Sequence, residues 1–173
     1  TGELGTWLAM IYGLGGLPGT SPGGEFAAGY AAGNERLQLR AMAVAFIGFG
    51  IISAGIYVSA NRYLAFALVG AAVVGVTMTN GPLFATMQTL VPDRMRAMSI
   101  ALTYFVANLI GMGLGPLVAG ALSDALQPQF GAESLRYALL ALCPGYFGTA
   151  WHLWWASRTV NHDLEAVLSP SRG

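Results

Sequence analysis

Acidic and basic side chains are absent from five stretches of this chain: Leu4 to Gly24, Ala41 to Asn61, Tyr63 to Pro92, Ala97 to Ser123 and Tyr137 to Ser157. Each reaches the roughly 20 residues an α-helix needs to cross the hydrocarbon core of a bilayer. The pattern predicts an all-α, polytopic transmembrane helix bundle of five spans, A to E, within residues 1–160. As helices the spans are expected at about 4–30, 41–61, 63–91, 97–123 and 137–157. Residues 161–173 should form a disordered cytoplasmic tail, given Pro170 and its flanking Ser169 and Ser171. Span A is the least regular, being rich in Gly and interrupted by Pro18 and Pro22. Neighbouring helices in a membrane shelter such backbone and satisfy its polar groups.

Polar residues inside the spans are unevenly shared. B holds Ser53, Tyr57 and Ser59, and E is nearly as poor until His152, so both are expected to be outer, supporting helices. C carries Thr77, Thr79, Asn80, Thr86, Gln88 and Thr89, and D carries Ser99, Thr103, Tyr104 and Asn108. An amide in hydrocarbon is costly without partners, so Asn80 and Asn108 should face protein or a water-filled cavity. On C, Thr77, Asn80, Phe84 and Gln88 fall on one helical stripe. Pro82 lies within it and frees an upstream carbonyl. Substrate contact, a hinge and ordinary interhelical hydrogen bonding all fit this kinked stripe. On D, Tyr104, Asn108, Gly111 and Gly115 form a second stripe, and Gly111 and Gly115 make a GxxxG pair that reads as a helix-packing seam. Gly15, Gly19 and Gly23 make a similar seam on A.

The connections sort by charge. Arg36 and Arg40, Arg94 and Arg96, and Arg158 and Arg172 fall on one side of a five-span topology; Arg62 and Arg136 fall on the other. Arginine marks the cytoplasmic side, so the C-terminus should be cytoplasmic and the protein multi-pass in the cell (inner) membrane. Trp151, Trp154 and Trp155 then crowd the inner end of E as interfacial anchors. Asp93 is expected to cap the helix of span D.

Composition agrees: 55% hydrophobic and 9% charged residues would leave a soluble domain of 173 residues short of polar surface. A formal net charge of zero, with arginines spaced singly or in pairs, excludes a nucleic-acid footprint. Cys143, the single cysteine, rules out an intrachain disulfide framework and zinc-type spacing. No intramembrane Ser/His pair, Asp pair or metal cluster is present, so neither an enzyme, a catalytic residue, a metal nor a cofactor is expected. No carboxylate sits mid-span, where a proton- or sodium-coupled carrier usually keeps one. The chain opens with Thr1 rather than Met, and truncation is the economical expectation.

The stretch Gly81 to Asp124, GPLFATMQTLVPDRMRAMSIALTYFVANLIGMGLGPLVAGALSD, resembles the tenth and eleventh helices of major facilitator superfamily transporters, most closely the spinster-like members. Gly5 to Gly24, GTWLAMIYGLGGLPGTSPGG, resembles their eighth helix. The resemblance implies that A to E are helices eight to twelve, a C-terminal half lacking its first helix. It implies a secondary active transporter fragment working by alternating access, with a small organic molecule or lipid-like solute as substrate. Implied partners are membrane lipid and the missing N-terminal half of the transporter. Thr77, Asn80, Gln88, Tyr104 and Asn108 become candidates for the substrate pathway. Arg36, Arg40, Asp93, Arg94 and Arg96 become candidates for cytoplasmic contacts or gating. The family's loop between helices eight and nine often carries an Asp that is missing here after Gly23 and Gly24. The rival reading is a self-contained small membrane protein that oligomerises through its glycine seams as a structural or assembly subunit.

Overall fold

The computed structural model describes the backbone of residues 2–25, 28–29 and 33–168, and the side chains of these apart from 2–4, 8, 14–20 and 166–168. It is all-α, with no strand among the described residues. The helices are α1 (Gly2–Glu25), α2 (Glu35–Val58), α3 (Arg62–Leu90), α4 (Arg96–Asn108), α5 (Gly115–Phe130), α6 (Ser134–Leu142) and α7 (Pro144–Leu168). A π-helical segment, Leu109–Leu114, joins α4 to α5, and α6 runs into α7 through Cys143. Among the described residues three helical runs are long and apolar enough to cross a membrane: Glu35–Val58, Arg62–Leu90 and Asp93–Glu165.

Local chemistry sets the helix ends. The Asn34 side chain accepts from the Leu37 amide at 2.9 Å, satisfying one of the orphan donors that open α2. Asn61 does the same for α3, accepting from Tyr63 N at 2.9 Å and Leu64 N at 3.4 Å. Gly131, at φ +54°, makes the tight α5–α6 turn in a conformation that strains other residues. Charge-free windows misplace several of these ends. α2 begins before Arg36 and Arg40, and α5 continues through Asp124, because a charge at a helix end turns to the interface without breaking the helix. Residues 161–168, expected as disordered tail, continue α7; Val160 is buried and Leu164 half-buried. The turn formers on which that expectation rested come later, at Ser169 and Pro170.

Packing follows the small residues. α1 runs parallel to α3, with Trp7 stacked on Phe66 at 5.9 Å and Gly23 against Met78 and Gly81. A Cβ on Gly23 would collide with the Met78 carbonyl oxygen, and one on Gly81 would lie 3.0 Å from the Gly23 backbone. Met78 O is the carbonyl to which Pro82 cannot donate, so the two backbones meet where α3 lacks an internal hydrogen bond. α2 runs antiparallel to α3, with the buried Thr86 hydroxyl donating to Gln38 Oε1 at 2.9 Å. It also runs antiparallel to α6 and α7, where Gly50 admits the Phe147 ring.

The core corrects the expectation that B and E are outer supports. Leu39, Met42, Ala43 and Phe49 of α2 are buried, as are Ala138, Ala150 and Val160 of α6 and α7. Small residues on α2 admit α3 on one side and α7 on the other, which a count of polar side chains does not register. α4, by contrast, packs little: every residue from 101 to 110 is exposed, and Met98 and Met112 are 70% and 77% exposed. So large an uncovered apolar surface requires lipid or protein against it.

Candidate functional site

Two cavities adjoin at α2. One, of about 420 Å³, is lined by Tyr12, Ser53, Tyr57, Thr77 and Tyr146, with apolar residues of α3. The other, of about 610 Å³, shares Ser53, Tyr57 and Tyr146 and extends to Gly111, Gly115 and Thr149. Hydroxyls from α2 and α7 thus meet one member of the polar stripe of α3, Thr77. The i, i+4 spacing of Ser53 and Tyr57, on a span otherwise nearly free of polar side chains, was the sequence signal for this face. Tyr146 gave no comparable signal.

Of the five expected pathway residues, Thr77 lines the smaller cavity while donating its hydroxyl to Val74 O at 2.8 Å in its own helix. Further along the same stripe Phe84 stacks on Tyr104, ring centroids 5.5 Å apart, which joins the C and D stripes. Asn108 donates Nδ2 to Tyr104 O at 2.7 Å, so its own helix satisfies one amide donor. Asn80 and Gln88 are exposed, and Asn80 makes no hydrogen bond among the described residues.

The D stripe does not remain one face. Tyr104 meets α3, whereas Gly111 and Gly115 turn to the larger cavity, with the π segment lying between. A Cβ on Gly111 would meet nothing within 4 Å, and one on Gly115 only the Ile110 carbonyl of the same rod. The GxxxG pair therefore makes no helix crossing among the described elements. On α1 the close approach is at Gly23; the surroundings of Gly15 and Gly19 lie outside the described side chains.

At the arginine-rich end, Asp93 opens a short 3-10 turn, Asp93–Met95, and pairs with Arg96 at 2.8 Å in place of capping α4. Both partners are substantially exposed, so the pair contributes at most about 1 kcal/mol. Arg96 Nε also donates to Gln88 O at 2.9 Å, tying the start of α4 to the end of α3. Arg36 and Arg94 are exposed, and the Arg40 guanidinium lies 5.2 Å from the centroid of the Trp154 ring. At the opposite end Arg136 donates to Tyr57 O and, at 2.9 Å, to Val58 O, closing the C-terminus of α2 from the start of α6. Sequence position suggested only a topological role for it.

Among the described residues no three His, Cys, Asp or Glu side chains gather to hold a metal ion. No protein-family model, curated protein or solved structure matches the chain.

Proposed function

We propose that the chain crosses the membrane five times as part of a secondary active transporter of the major facilitator type, moving a small organic or lipid-like solute by alternating access. The observation that carries this reading is the pair of adjoining cavities around Ser53, Tyr57 and Tyr146. Their volumes fall in the range of small-molecule sites. Hydroxyls and aromatic rings line them, inside helices sheathed in exposed apolar side chains. Thr77 borders the smaller cavity directly. Asn80, Gln88, Tyr104 and Asn108 extend the polar surface along α3 and α4 toward the arginine-rich end, which faces the cytoplasm. A companion half covers α4 and supplies the opposite wall.

A single-cysteine series tests the reading without knowledge of the substrate. In a Cys143→Ala background, Thr77→Cys and Asn80→Cys should react with a membrane-impermeant thiol reagent at least about tenfold faster than Val44→Cys, since reaction requires a hydrated thiolate. Val44 is an exposed apolar residue of α2. Equal, slow labelling at all three positions would remove the water-filled pathway. It would leave the oligomeric subunit, which the unoccupied Gly111 and Gly115 face favours.

A further inference from the structure

Arg36, Arg40, Arg94, Arg96 and Arg158 gather at one end of the bundle, since Gln38 meets Thr86 and Arg40 covers Trp154. Two of these arginines border an aromatic wall. Trp151 and Trp155 meet edge to face at 5.7 Å, and with Trp154 and Arg158 they line a cavity of about 220 Å³. Arg158 follows Trp154 by one helical turn and so shares its face of α7. Arg40 approaches the same indole from α2.

Arg40 and Arg158 lack carboxylate acceptors among the described residues, and Asp93 at this end is held by Arg96. Arg40 Nε is buried without a hydrogen-bond partner among the described residues. Buried donors in native proteins are almost always satisfied, so a guanidinium left one acceptor short gains by turning toward one supplied from outside the described residues. Guanidinium forks match the oxygens of a phosphate in geometry and charge.

We infer that Arg40 and Arg158 hold the phosphate of an anionic phospholipid against the Trp154 indole. Trp151 and Trp155 are 62% and 57% exposed, large apolar surfaces that a free phosphate ion would leave uncovered and that a lipid glycerol and upper acyl chain would cover. A choline headgroup fits worse, because Arg40 already occupies the Trp154 face that an ammonium would seek. The site requires membrane residence alone and is independent of transport.

Native mass spectrometry of the full chain, released from neutral detergent with equal amounts of phosphatidylglycerol and phosphatidylcholine, tests the site. The unmodified protein should retain one phosphatidylglycerol in preference to phosphatidylcholine. Arg158→Gln and Arg40→Gln should each weaken that preference about fivefold, the effect of one arginine on an anionic lipid surface. Arg94→Gln, at the same end, should leave it unchanged. Should Arg40→Gln lose helical circular dichroism, the exposed Arg158 decides alone. Unchanged retention in Arg158→Gln would overturn the assignment. So would an equal loss in Arg94→Gln, which means general charge, or displacement of the lipid by millimolar inorganic phosphate, which means a free-anion site.

Discussion

The last carbonyls of a helix have no partner within it, and at the end of α2 Arg136 reaches Tyr57 O and Val58 O from another rod. A third nitrogen of the same guanidinium pairs with Glu133 at 2.8 Å, fixing the fork. Hydrogen bonds from a charged donor contribute about 1.5–3 kcal/mol each, so Arg136→Gln should lower stability by about 2 kcal/mol or more in a thermal melt in detergent. Arg136→Lys should recover less than half, because an ammonium lacks the fork. Glu133→Gln should cost under about 1 kcal/mol, since the pair is substantially exposed. Gly23 and Gly24 give a second contrast. Gly23→Leu forces a side chain into the Met78 carbonyl and should destabilise by about 1–3 kcal/mol, the cost of overpacking. Gly24→Ala meets nothing within 4 Å and should be near neutral in the same melt.

At the scale of the element, α3 keeps its helix through Pro82 because α1 packs where the internal hydrogen bond is missing. Pro82→Ala returns a donor to Met78 O, and amide exchange around Thr79 to Phe84 should slow at least about threefold if that break sets local opening. Exchange as fast as in the unmodified chain would detach the break from any hinge role. The existence of the helical rods was legible in the sequence because lipid-length apolar runs are defined by what they lack. Their ends were not, since Arg36, Arg40 and Asp124 lie within helices. The site was legible in part. Helical periodicity puts Thr77 and Phe84 on one stripe, whereas the contact of Phe84 with Tyr104 depends on how α3 and α4 meet. Tyr146 depends on how α7 lies against α2, which no single-helix pattern contains. The glycine patterns divided for the same reason: a GxxxG pair advertises a small surface, and only the neighbour decides whether backbone or cavity lies against it.

For the whole molecule, charge and shape agree. Five described arginines sit at one end, while Arg62 and Arg136 sit at the other. With Cys143 replaced by Ala, Met95→Cys should label in inverted vesicles and Ala60→Cys in right-side-out ones, each at least about tenfold above the opposite preparation. The reverse result would invert the topology. The π segment Leu109–Leu114 reaches across the same scale. Successive residues of an α-helix are turned by about 100°, so one residue held in a wider loop advances everything beyond it by that angle. Tyr104 on one side and Gly115 on the other are thus set in different phases of a single rod. Deleting Gly113 would bring the rod into one phase and swing one of its walls outward with every other side chain intact. A single-codon deletion is then a small genetic step that changes which surface this rod presents to the cavity.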